Sequence, residues 1–153
     1  MVTSKKRMTN RSLRMQMGFS MLEVLISILV LSIGALGAAG MQVAALKDSG
    51  SANSRYRAAS LAGAMADALR ADRTLAITES TDFVSAVVSG SCSATATTSV
   101  SRWQNQINCE LPGGKGGVDV DGYTKRAIIT VEWNDSRGQL GSAAQQFRLE
   151  TRL

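Results

Sequence analysis

From Val24 to Leu46 the chain runs for 23 residues without a charge, and most of them are apolar. Wound as an α-helix at about 1.5 Å per residue, that run reaches roughly 35 Å. A bilayer's hydrocarbon core is about 30 Å thick, so the run is long enough to span it. Glu23 stands at its leading edge. A carboxylate held unpaired at membrane depth costs about 2.5–3.5 kcal/mol, so a cationic partner is expected for it.

The charge of the chain is distributed to match. Of 17 basic residues, five lie in the first 18 positions, Lys5, Lys6, Arg7, Arg11 and Arg14, with no acidic residue among them. The remaining 12 basic residues equal the 12 acidic ones, so the net charge of +5 belongs to this leader and residues 19–153 are formally neutral. A basic pI invites a nucleic-acid reading. A basic flank ahead of an apolar span instead sets orientation, positive side inward. Residues 47–153 are therefore expected outside the cytoplasm. Cys92 and Cys109 suit that side, because disulfides persist in oxidising compartments and a small domain gains from them. Their pairing is expected, and a loop of this length is worth about 3 kcal/mol in the chain-entropy account.

The stretch Gly18-Phe19-Ser20-Met21-Leu22-Glu23 and the apolar run behind it resemble the class III signal and first helix of type IV pilins and pseudopilins. Ser20-Met21-Leu22 stands where Thr-Leu-Ile is frequent, with size and polarity kept. The resemblance implies cleavage after Gly18 by a prepilin peptidase and N-methylation of Phe19. It implies that Glu23 neutralises the terminal amine of a neighbouring subunit during assembly. The domain organisation it implies is a basic leader over 1–18, a transmembrane and assembly helix over 19–46, and a periplasmic domain over 47–153. Family members often carry a proline midway through the first helix; here Gly40 occupies that place. Gly34, Gly37 and Gly40 recur at every third position, and read equally as a packing face for other membrane helices or as glycines tolerated there.

Beyond the anchor, Lys47-Asp48-Ser49-Gly50-Ser51-Ala52-Asn53-Ser54 is polar and by propensity reads as frayed or broken. Apolar periodicity then returns at Ala58, Leu61, Ala62, Met65, Ala68 and Leu69, with Arg55, Arg57, Asp67 and Arg70 mostly elsewhere. One long helix, Phe19 to Arg70, is predicted. Between 71 and 101 the chain is rich in Ser and Thr, and Phe83 to Val88 fits either a short helix or a strand. Val100, Trp103, Ile107 and Leu111 predict an amphipathic helix to Glu110, stopped by Pro112 and glycines. Gly113-Gly114-Lys115-Gly116-Gly117 lacks the spacing of a phosphate-binding loop and reads as a flexible connector. Asp121-Gly122 predicts a hairpin turn. Two period-two segments, Lys125–Trp133 and Gln145–Leu153, predict strands, with Asn134 to Gly138 supplying turn residues between them. Asp119 and Asp121 open like a calcium loop, yet Thr130 stands where its closing glutamate belongs, which favours a solvated turn.

The expected fold class is α+β: a long amino-terminal helix, membrane-spanning in its first half, packed on a small antiparallel sheet. Trp103, then Leu111-Pro112-Gly113-Gly114, then Val131-Glu132-Trp133 resemble a W…LPGG…VxW pattern of PilV-type minor pilins. That similarity implies a minor pilin that primes or caps a type IV pilus. Its partners are then the prepilin peptidase, other minor pilins, the major pilin and the inner-membrane assembly platform. It starts as a single-pass inner-membrane protein and ends in the pilus fibre or at its tip. No cofactor is implied. The absence of histidine removes His-dependent triads and proton shuttles, two cysteines cannot assemble the usual zinc sets, and no paired carboxylates stand out, so an enzyme is not expected. A minor pseudopilin of a type II secretion system shares the same amino-terminal features. An adhesin or DNA-uptake module exposing residues 71–124 is a reading of another class, and the balanced charge of the domain speaks against DNA. An ordinary secretory signal, with Ala35-Leu36-Gly37 as its cleavage site, is opposed by Glu23 and by the apolarity continuing past Gly40.

Overall fold

The structure is a computed structural model, and it describes residues 18–78, 83–92, 95–138 and 140–153. The leader ahead of Gly18, with its five basic residues, lies outside the described residues. Helix α1 spans Met21–Ala71 without interruption. Contacts within the chain fall into two units, one ending at Gly40 and one running from Met41 to Leu153. The polar segment 47–54 stays helical although its propensities argue for a break. One side chain ties it down: Ser51 Oγ donates to the buried carboxylate of Asp135. A tertiary partner thus outweighs a weak local preference.

In the second unit, α1 buries Ala58, Leu61, Ala62, Met65, Ala66 and Leu69. Ala66 takes a buried position that the sequence spacing assigns to Ala68, which is only half-buried. A five-residue helix α2, Arg73–Ile77, follows and buries Ala76. It is too short to show a period in the sequence. The Phe83–Val88 cluster resolves as strand β1, Ser85–Ser89, irregularly paired between Ser85 and Val88. Helix α3, Ser99–Glu110, starts on a reciprocal cap: Ser101 N–H donates to Thr98 Oγ1 at 3.1 Å, and Thr98 N–H donates to Ser101 Oγ at 3.0 Å. Two otherwise orphaned donors are met in this way. Its end is set by Gly113 in the left-handed region, φ 62°, where glycine carries no steric penalty.

The glycine stretch corrects the expectation of a flexible connector. Strand β2 spans Lys115–Asp121, and Gly116 and Gly117 are buried within it. The reason lies above the strand. A Cβ on Gly116 would stand 2.5 Å from both Ile107 Cδ1 and Trp103 Cζ3, and one on Gly114 would stand 2.5 Å from the Ile107 carbonyl oxygen. Glycine here lets α3 settle onto the strand's backbone. Gln104, itself buried, donates from Nε2 to the Gly116 carbonyl at 2.8 Å and to Ser85 Oγ at 2.9 Å. One amide thus ties α3 to β2 and β1.

Strands β3, Arg126–Trp133, and β4, Gln145–Arg152, complete an antiparallel sheet of order β1-β2-β3-β4. Ala127, Ile129, Val131 and Trp133 face inward from β3 and meet Phe147 and Leu149 of β4 in one core with α1 and α3. Fully burying side chains such as Ile107, Ile129 or Leu69 contributes about 1.5–3 kcal/mol each. The two helices meet through Trp103, whose Nε1 donates to the Leu61 carbonyl at 2.8 Å. The expected α+β class is thus the one observed: a long amino-terminal helix packed on a small four-stranded antiparallel sheet.

The sheet's outer face is polar and cross-paired. Lys115 Nζ donates to Glu132 Oε1 at 2.9 Å, Gln146 Nε2 to Glu132 Oε2 at 3.0 Å, and Arg126 pairs with Glu150 at 2.6 Å. The bond from Lys115, then that from Gln146, holds the Glu132 carboxyl below its ordinary range. At the β2–β3 turn, Asp121 accepts from the Thr124 hydroxyl at 2.7 Å and from the backbone N–H groups of Tyr123 and Thr124, which lowers its pKa as well. This is the solvated turn expected at Asp119 and Asp121. A carboxylate with a lowered folded-state pKa contributes stability above its unfolded pKa and loses it as pH falls through the folded value. Thermal unfolding of the full chain in detergent should therefore show the wild type losing stability below about pH 4 more steeply than Glu132→Gln. The difference should be at most about 1 kcal/mol, because the Lys115 side chain is nearly half exposed and solvent screens the pair. Parallel pH profiles for the two chains would remove Glu132 from the acid response.

Candidate functional site

Ser20 opens α1. Its carbonyl accepts from Glu23 N–H at 3.0 Å and Val24 N–H at 3.3 Å, and its Oγ accepts from Leu22 N–H at 3.3 Å. Gly18 and Phe19 precede this cap, and both are exposed. Glu23 therefore sits in the first helical turn, where a negative charge is favoured by the helix dipole. Phe19, Glu23, Val24, Ser27, Ile28 and Leu31 border one shallow hollow of about 350 Å³. The polar groups nearby are met within the helix: Ser27 Oγ donates to the Glu23 carbonyl at 2.6 Å and Ser32 Oγ to the Ile28 carbonyl at 2.7 Å. The Glu23 carboxylate has no ion-pair partner among the described residues. Chemically this is an acceptor for a cation.

Along the same segment, Leu22, Leu25, Leu29, Leu36 and Met41 are exposed. Among the described residues, α1 is the helix long and apolar enough to cross a membrane. Nothing lies within 4 Å of a Cβ built on Gly34, Gly37 or Gly40, so these positions leave open space on the helix surface.

Elsewhere, Cys92 and Cys109 are joined by a disulfide that ties the chain after β1 to the last turn of α3. The aromatic and glycine positions named in the carboxy-terminal motif converge. Gly114 lies against Ile107, one helical turn after Trp103, the Pro112 carbonyl accepts from Asn134 N–H at 2.8 Å, and Trp133 is buried one residue before that contact. Sequence reasoning misses two features. Asp135 stands among turn residues, yet it is buried, receives Ser51 Oγ, and donates its N–H to the Ser142 carbonyl at 2.9 Å. Trp133 reads as a strand position and as the end of the VxW pattern, yet its Nε1 is buried with no acceptor among the described residues. A buried donor left unmet costs about 1–3 kcal/mol. No pattern in the sequence marks either one, since both depend on what the fold brings near.

Helix, capped glutamate and sheet together define an α+β protein with an amino-terminal helix able to anchor it in a membrane. Compared with protein families, residues 13–39 match the prokaryotic N-terminal methylation motif. No curated protein and no solved structure matches the chain. The motif contains Gly18, Phe19 and Glu23, and it supports a type IV pilin-like protein, pilin or pseudopilin, anchored by its amino-terminal helix.

Proposed function

We propose that this chain is a minor pilin of the PilV type, a structural subunit rather than an enzyme. A prepilin peptidase removes residues 1–18 on the cytoplasmic side, and Phe19 becomes the methylated amino terminus. The apolar half of α1 holds the subunit in the inner membrane with residues 47–153 in the periplasm. The subunit then joins other minor pilins to prime or cap a type IV pilus made of the major pilin, working through the inner-membrane assembly platform. Glu23 pairs with the terminal amine of a neighbouring subunit. The observation that carries this reading is the methylation motif over 13–39, with Glu23 lacking an ion-pair partner among the described residues in the first turn of a helix that continues without a break to Ala71.

The first test is the amino-terminal peptide, measured by mass spectrometry on membrane fractions from cells with and without the peptidase. An N-methylated Phe19 that depends on the peptidase is the expected result. Gly18→Leu should abolish that product nearly completely and leave the full-length chain in the membrane. A normally shortened Gly18→Leu chain, or a terminus near Ala38, would remove the assigned cleavage site. Deleting the chain should reduce piliation and spare protein secretion; the reverse pattern would make it a pseudopilin.

A further inference from the structure

Between α1 and the start of β4, a cavity of about 400 Å³ is lined by Arg55, Trp133, Gln145, Gln146 and Phe147. This is within the size range of ligand pockets, roughly 300–1,000 Å³. We propose that it binds a carboxylate carried by a partner polypeptide, an acidic side chain in an extended segment. The site stands whether or not the chain joins a filament.

Its lining is rich in donors and contains no carboxylate. Trp133 is 2% exposed, and its Nε1 finds no acceptor among the described residues, whereas the other tryptophan, Trp103, donates to Leu61. Neither the Arg55 guanidinium nor the Gln145 amide has a partner among the described residues, while Gln146 is already committed to Glu132. The unmet groups are thus an indole N–H, an amide and a cation. Together they call for oxygen acceptors with negative charge. Phe147 supplies an apolar wall for the methylenes of such a side chain.

The sheet supplies the case for a polypeptide over a free anion. Strand β4 ends the order β1-β2-β3-β4, so no strand pairs with its outer edge among the described residues, and the cavity lies where that edge begins. An extended segment can bond to such an edge while one side chain enters an adjoining pocket. Trp133 Nε1 is shut off from water, so entry must shift a wall side chain. Arg55 and Gln145 are the ones left untethered.

The test uses the full chain in detergent micelles with ¹⁵N-labelled tryptophan. Its two indole N–H signals are assigned by the loss of one in Trp133→Phe. The probe is a blocked Ala-Glu-Ala peptide, compared with blocked Ala-Gln-Ala and with acetate. The Trp133 indole signal should move downfield and saturate with the Glu peptide while the Trp103 signal stays. Arg55→Gln, a change on the exposed side of α1, should weaken that response roughly tenfold, as expected for losing a charged hydrogen-bond partner. An unmoved Trp133 signal, an equal response to the Gln peptide, or an unaffected Arg55→Gln chain each overturns the site. Acetate acting as strongly as the Glu peptide would overturn the polypeptide as its source.

Discussion

Gly116→Val should destabilise the domain by about 3 kcal/mol or more, although valine is a far better strand former than glycine. Gly116 lies in β2 opposite Val131 and beneath α3. Even a single added methyl would stand 2.5 Å from Ile107 Cδ1 and Trp103 Cζ3 and 2.9 Å from Trp103 Cη2. Neither neighbour has room to yield. Ile107 is fully buried, and the Trp103 ring is held by its bond to Leu61. Lifting α3 would also stretch the Gln104 bonds to Gly116 and Ser85. In a domain of this size the loss corresponds to a fall in Tm of roughly 10–20 °C. Thermal unfolding of the full chain in detergent, followed by tryptophan fluorescence, reads it directly. Asp119→Val serves as the control: it adds the same residue to the same strand at an exposed position and should change stability by no more than about 0.5 kcal/mol. If Gly116→Val melts with the wild type, the close approach of α3 to the strand is wrong.

That glycine also marks where the sequence stops being legible. Strands β3 and β4 are readable because one face meets the core and the other meets water, so Ile129, Val131 and Trp133 alternate with Thr130 and Glu132. Helix α3 is readable for the same reason at a different period. The second half of α1 announces itself through Ala58, Leu61, Ala62 and Met65. In β2 the inward side chain at Gly116 is missing, because its space is filled by Trp103 and Ile107 from another element. A missing side chain in one place and a tryptophan in another are complementary, but nothing local links them. Val118, Val120 and the Asp121-Gly122 turn are the available clues. For β1, an irregular pairing over five residues erases the alternation that would separate strand from helix. At the amino terminus the position is reversed: Gly18, Phe19 and Glu23 are conspicuous in the sequence. The fold adds the Ser20 cap and the absence of an internal partner for Glu23 among the described residues. The cavity at Trp133 is illegible, since Arg55, Trp133 and Gln145 come from three separate segments.

Glu23→Gln should cut the amount of this chain recovered in sheared filaments by roughly a hundredfold, with membrane insertion and trimming after Gly18 unchanged. The size of the effect follows from electrostatics at low dielectric. A carboxylate at membrane depth costs about 2.5–3.5 kcal/mol unless paired, and a terminal amine brought to the same depth carries a similar burden. Meeting each other removes both penalties, so only the assembled state benefits. The neutral amide leaves the amine of the incoming subunit uncompensated, and about 2.7 kcal/mol is a factor of a hundred in an equilibrium. Insertion is not harmed, because removing a charge from the edge of the apolar run makes the span easier to bury. The helix start should also survive. Its hydrogen bonds run to Ser20, and the side-chain bond received at position 23 uses the backbone carbonyl, which accepts from Ser27 Oγ, rather than the carboxylate. Glutamine keeps nearly the shape of glutamate, so a packing role in the hollow beside Phe19 and Ile28 predicts normal incorporation for Glu23→Gln, whereas charge pairing predicts failure. Immunoblots of filament and membrane fractions separate the two. Full incorporation of the amide variant would leave Glu23 as a helix-start residue and take the amine partner out of the mechanism.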